Sequence, residues 1–170
     1  MRKIGQIFRF LIPVIALVAL VVFLVGAGRR ERAERAKKVR GIALIYEAWN
    51  TGNVALLDEV HSPDLVRHGP GSPWGEEDFK SNKERLLKML KDYPGFKLTM
   101  DFLLVDGDRT ADRYTFRMPL GNGKEVVSSG VCHHRWVDGK VVEVWEYDDL
   151  VGLYQQLGFK LVPSEKQAGK

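Results

Sequence analysis

Nineteen consecutive residues, Phe10 to Gly28, carry no charge and are almost all Leu, Ile, Val, Ala or Phe. A helix of that length spans about 28 Å, close to the hydrocarbon thickness of a bilayer. A surface helix of a globular protein would show polar residues along one face, and this run shows none. Pro13 falls in its first turn, where a missing N–H costs least. Residues 1–28 are therefore expected to form a transmembrane anchor. Arg2, Lys3 and Val25-Gly26-Ala27 would also suit a cleaved signal peptide. The apolar core is longer than a usual signal core, however, and basic residues follow it at once, which favours retention.

Charge divides at the same place. Residues 1–40 carry a net +8 and residues 41–170 a net −4. The basic excess thus belongs to a juxtamembrane helix, residues 29–40, facing lipid headgroups. Seven basic side chains follow the apolar run and three precede it. The positive-inside rule then puts the folded part of a single-pass membrane protein on the cytoplasmic side. That part has no basic stripe, which argues against nucleic-acid binding. Cys132 is the only cysteine, so no intramolecular disulfide can form.

Residues 41–160 suffice for one domain with a single core, and residues 161–170 read as a polar tail. Val39, Ile42, Ala43, Tyr46 and Trp49 recur at helical spacing and end at Thr51-Gly52-Asn53, where Asn53 can cap a short helix through Val60. His61 to His68 reads as a short extended segment interrupted by Pro63, with His61 at the surface, and Gly69 to Gly75 as a loop. Phe79, Leu86, Leu90 and Tyr93 mark a third helix. The period then changes to two, in strands beginning at Phe96, Arg109, Val126 and Val141, before a last short helix from Asp149 to Leu157. The order predicts an α+β fold in which a cone-shaped, curved antiparallel sheet is wrapped by helices around a pocket, preceded by one transmembrane helix.

Several of these segments resemble a known family. Arg135-Trp136-Val137-Asp138-Gly139-Lys140-Val141-Val142-Glu143-Val144-Trp145-Glu146, followed by Asp149 and Gln155-Gln156-Leu157-Gly158, resembles the closing hairpin and tail of the SnoaL-like polyketide cyclases, or ester cyclases, of the nuclear-transport-factor-2-like superfamily. Gly107 to Arg113, Tyr46 to Asn50 and Val66-Arg67-His68 resemble earlier family segments. The likeness covers about Val39 to Gly158 and implies a cystatin-like cone. The family's segment between two of its strands is here reduced to Pro119–Glu125.

The resemblance implies that Glu146 acts as acid/base in an aldol ring closure needing neither metal nor cofactor. A carboxyl group in an apolar pocket would have its pKa raised toward neutrality, which suits that task. With a two-residue turn at Asp138-Gly139 and regular pairing beyond it, Val131, His133, Arg135, Val142, Val144, Glu146 and Asp148 share one face. His133 and Glu146 would then be diagonal neighbours inside the pocket. His68 and Asp148 are further catalytic candidates, and Arg113, Arg135, Val131 and Val144 are candidate substrate contacts. Trp136, Trp145 and Tyr147 would share the opposite face, a candidate homodimer surface.

Other chemistries find less support. Cys132, His133 and His134 alternate across a strand and cannot converge on one ion, so no metal is expected. No Gly-x-Ser-x-Gly elbow surrounds Ser128-Ser129, and no glycine-rich phosphate loop links a strand to a helix. The expected function is a membrane-anchored domain that binds a small apolar or carbonyl-containing molecule, as a cofactor-free cyclase or isomerase. The alternative is a non-catalytic ligand-binding or assembly module held at the bilayer.

Overall fold

A computed structural model describes residues 2–69, 75–121 and 123–162, with side chains for all of these except 2–16 and 18. Most of the expected polar tail and the centre of the Gly69–Gly75 loop lie outside the described residues. The chain divides into two compact units, residues 1–37 and 38–170. Its first helix, α1, spans Arg2–Thr51. In the first unit, Leu17 and Leu20 to Val25 are each at least half exposed. The expected span Phe10–Gly28 falls partly on residues whose side chains are not described. Among the described residues, no helix is long and apolar enough to cross a membrane.

The second unit is an α+β domain. After α1 come α2 (Ala55–Val60), β1 (His61–Gly69), β2 (Gly75–Asp78), α3 (Phe79–Asp92), β3 (Lys97–Asp106), β4 (Arg109–Pro119), β5 (Glu125–Val137), β6 (Lys140–Asp148) and α4 (Leu150–Gln156). The strands form one curved sheet in the order β2-β1-β6-β5-β4-β3. Strands β3 to β6 form the expected antiparallel meander. The sheet as a whole is mixed, because β1 lies parallel to β6 and β2 folds back on β1. A parallel neighbour distant in sequence leaves no mark on local periodicity, so this edge was not foreseeable from alternation alone. Pro63 is tolerated because the β1–β6 register is irregular between His61 and Val66, where no ladder N–H is needed.

Local chemistry explains most element ends. Asp78 accepts from the Ser81 N–H at 2.7 Å and caps α3, and Asp149 accepts from the Gly152 N–H at 2.8 Å and caps α4. Asn53 does not provide the expected cap. The capping position of α2 is Val54, with no side-chain hydrogen bond. Asp138 and Gly139 both adopt positive φ, 49° and 79°, as a tight hairpin turn of the primed kind requires.

Alternation along β4 turns Thr110, Asp112, Tyr114, Phe116 and Met118 inward. They meet Ile42, Tyr46, Leu65, Phe96, Val126, Trp136, Val141 and Val144 in the main core. Trp136 comes so close to α1 that a Cβ on Gly41 would lie 2.6 Å from its ring. Its indole N–H donates to Thr110 Oγ1 at 3.0 Å, which satisfies its polar edge in the core.

Candidate active site

The inner face of the sheet is set by one extra residue. Val137 pairs with Lys140 and Trp136 with Val141, but Arg135 pairs with Glu143. Val142 is thus an unopposed β-bulge residue, and beyond it every side chain of β6 exchanges faces relative to regular pairing. Cys132 stands opposite Glu146 and His134 opposite Val144, while His133 stands opposite Trp145. The expected pairing of His133 with Glu146 inside the pocket is therefore not formed.

A cavity of about 360 Å³ lies over this inner face. Ile42, Ile45 and Trp49 of α1, Met89 of α3 and Leu153 and Leu157 of the C-terminal segment supply apolar walls. The sheet contributes its polar groups, Arg67, Asp112, Tyr114, Cys132, His134, Glu146 and Asp148. Asp112, Cys132 and Glu146 form a row straight across β4, β5 and β6.

Glu146 belongs to a cluster of two arginines and two glutamates. Arg67 donates from Nε to Glu146 at 2.9 Å and from Nη1 to Glu77 at 2.8 Å. Arg85 donates from Nε to Glu77 at 3.0 Å, and its Nη2 lies 3.8 Å from Glu146. The Arg85 guanidinium also stands over the Trp49 ring at 4.7 Å. Burial alone would raise the Glu146 pKa. The charges of Arg85 and Arg67 outweigh burial and hold it below the ordinary carboxylate range. The expected upward shift is thus reversed, because two guanidiniums from β1 and α3 close over this carboxylate.

The other inward carboxyls behave differently. Burial, and then the Glu146 charge, push Asp112 up to about 6, against a hydrogen bond donated by the Tyr46 hydroxyl. Asp148 is raised by burial and by the same Glu146 charge, and accepts from the Tyr114 hydroxyl at 2.6 Å. His134 lies with Nδ1 3.4 Å from Asp112 Oδ1, and burial holds its pKa down at about 3. His61, expected at the surface, is only 5% exposed and lines the same cavity, with burial lowering it to about 4. The Cys132 thiol is pushed far up by burial and by the nearby Glu146 and Asp112 carboxylates, so it is a poor nucleophile.

Of the residues expected from sequence, Glu146, Asp148 and Val144 line the cavity. Five others lie on the outer face. His133 and His68 both stack on Trp145, at 5.1 and 5.2 Å between ring centres. His68 also meets Glu143 and Glu76 at 3.0 Å each, which holds its pKa above the ordinary value. Arg135 pairs with Glu143 at 2.9 Å, Arg113 pairs with Asp101, and Val131 is half exposed. Trp136 leaves the expected aromatic surface for the core, so Trp145 and Tyr147 remain outside without it. Among the described residues, no group of three or more His, Cys, Asp or Glu side chains is arranged to hold a metal ion.

Sequence reading missed the inner partners Arg67, Arg85, Glu77, Asp112, Tyr46 and His134 as site residues. For Asp112 a signal existed: it interrupts the inward series Thr110, Tyr114, Phe116, Met118 with a charge. A lone acid on the buried face of a strand needs a partner or a function. Arg67 and Arg85 carry no such signal, since the edge strand and helix that bring them in are assembled only by tertiary contacts.

No curated protein sequence matches this chain. Among solved structures it is similar to wild-type IdmH of Streptomyces antibioticus, a candidate polyketide cyclase, at 27% identity, TM-score 0.63, covering 71% of this chain and 98% of that one. TsrD of Streptomyces laurentii is similar at 26% identity and TM-score 0.63, covering 73% and 96%. An LEH-like epoxide hydrolase of M. tuberculosis shares the fold alone, at 17% identity and TM-score 0.61, covering 72% of this chain and 90% of that one. The SnoaL-like polyketide cyclase family model matches residues 42–157, most of the chain, and the chain belongs to that family.

Proposed function

We propose that this protein is a cofactor-free acid–base catalyst of the cyclase or isomerase kind, acting on a small, largely apolar molecule that carries a carbonyl group. One observation carries the reading. Asp112 and Glu146 face one cavity from the same row of the sheet, and their surroundings push their protonation preferences apart. Such a pair divides naturally into proton donor and proton acceptor. Ionised Glu146 takes a proton from an activated carbon. The carbanion attacks a carbonyl carbon of the same molecule, and the carbonyl oxygen takes the proton of Asp112. The guanidiniums of Arg67 and Arg85 line the same cavity and would stabilise the enolate that forms first. Apolar walls keep water from competing for these groups.

The test is turnover of a linear or partly cyclised polyketide ester by Glu146→Gln and Asp112→Asn variants. Loss of turnover in both with retained binding supports the pair, and unchanged turnover in either removes that residue from the role. The ion pairing of Glu146 favours a second reading, in which the arginine–glutamate cluster is structural and the domain binds its ligand without converting it. Binding with no turnover by the unaltered protein would favour that second reading.

The membrane tether belongs to the proposal. Its support is the uncharged run Phe10–Gly28 and the exposure of Leu20 to Val25. Recovery of the full chain in the membrane fraction after alkaline carbonate extraction tests it, and release into the supernatant would overturn it. A cytoplasmic placement of the domain predicts resistance to protease added outside intact cells. Self-association through the outer face, with Trp145 and Tyr147, predicts a dimer mass by sedimentation in detergent.

A further inference from the structure

Three buried polar atoms of residues lining the cavity have no hydrogen-bond partner among the described residues, His61 Nδ1, His134 Nδ1 and Asp112 Oδ1, and the His61 ring is near enough for its charge to act on His134. All three residues line the cavity and each is 5% exposed or less. His134 Nδ1 and Asp112 Oδ1 face each other at 3.4 Å, too far for a good hydrogen bond. The opposite oxygen of Asp112 is already engaged by the Tyr46 hydroxyl. His61 is held in place by its ring contact with Phe79, 5.6 Å between centres. Burial of such atoms without partners is costly, so three of them on the lining of one cavity mark a place built for a polar group of a ligand.

We propose that His61, His134 and Asp112 form a subsite that recognises a neutral hydroxyl or phenol group of the bound molecule. The inference deepens the reading of this cavity as the working site and rests on it. Both imidazoles stay uncharged at neutral pH, so each offers one donor and one acceptor nitrogen. A hydroxyl, donor and acceptor at once, can satisfy such a group whichever tautomers it holds. A carboxylate fits less well, because the Asp112 carboxyl repels it, against the pull of the Lys140 and Lys83 charges that reach His61. The remaining walls accept an apolar or aromatic body.

The experiment compares 2-naphthol, naphthalene and 2-naphthoate binding to the full chain in detergent at pH 7 by calorimetry. One added hydrogen bond to buried partners corresponds to about a fivefold tighter dissociation constant for 2-naphthol than for naphthalene. His61→Phe keeps the ring contact but removes Nδ1 and should bring the two ligands within about twofold. His61→Asn, whose amide can occupy the place of Nδ1, should keep the preference. If His61→Phe does not fold, His61→Leu serves in its place. Equal binding of naphthol and naphthalene by the unaltered protein, no binding of naphthol, a preference that survives loss of Nδ1, or tighter binding of 2-naphthoate would each overturn the proposal. Because binding is read without turnover, Asp112→Asn or Glu146→Gln could fail as catalytic tests while this result stood.

Discussion

Arg67 reaches Glu146 through its Nε at 2.9 Å, and only 2% of the arginine side chain is exposed. The same guanidinium binds Glu77, so one cation holds two carboxylates away from water. Arg67→Met would leave Arg85 as the one guanidinium of this cluster beside both acids. Breaking a buried ion pair from one side costs about 3–5 kcal/mol. Urea unfolding at pH 7 should show a loss of that size, and adding Glu146→Gln to the same chain should recover part of it.

Asp112 and Glu146 predict a pH dependence of turnover. Asp112 must hold its proton to donate it, so kcat/KM should fall as pH rises through about 6. Glu146 is held ionised below the ordinary carboxylate range, so its own limb lies on the far acidic side. Asp112→Asn should lower the rate by about 100-fold or more and remove the limb near 6. A limb that persists in the variant would assign it to another group.

Stability should depend on pH through His61 and His134. Folding lowers their pKa to about 4 and about 3, so the unfolded chain takes up protons first on acidification. Their contribution is complete above about pH 6.5 and drains as pH falls toward 4 and then 3, on the order of 3 kcal/mol for His61 and about 5 kcal/mol for His134. Asp112 is shifted the other way, from 3.8 to about 6, so its neutral form favours the folded state and that favour is lost as pH rises through 6. The histidine effect is therefore best read as a difference. A His61→Phe, His134→Phe chain should lose less stability than the unaltered protein between pH 6.5 and 4 in urea titrations.

Gly130 has no room for a side chain. A Cβ there would lie 2.4 Å from the Tyr114 hydroxyl and 2.7 Å from the backbone oxygen of Tyr147. The backbone oxygen cannot turn aside, so Gly130→Ala should cost about 1–3 kcal/mol. It should also displace Tyr114 from Asp148, visible as a lowered thermal midpoint together with altered Tyr absorbance.

Much of the domain was legible before any coordinates. Alternation in β3 to β6 and the turn residues Gly107 and Gly139 mark the hairpins because periodicity and positive φ are local properties. The stripe through Ile42, Tyr46 and Trp49 marks the end of α1 for the same reason, and these residues do face the core and cavity. The family likeness from Val39 to Gly158 anticipates the match over residues 42–157.

The site was legible only in part. Glu146, Asp148 and Val144 do line the cavity, but the face assigned to His133 rested on strictly regular pairing. The extra residue Val142 reverses that assignment from Glu143 onward, and nothing in Lys140-Val141-Val142-Glu143 announces it. Arg67 and Arg85 escaped notice for a different reason. They reach Glu146 from positions 79 and 61 residues away in the chain, and pairing over such distances has no local signature.

The amino-acid order alone specified the kinds of element, their sequence, the charge division and the one long uncharged run, all of which follow from neighbours within a turn or a pleat. The register across the β5–β6 hairpin, the parallel docking of β1, and with them the protonation preferences of Asp112, Glu146 and Asp148 were settled by packing. Those depend on which distant charges are brought within a few ångströms of one another, and only the assembled sheet sets that distance.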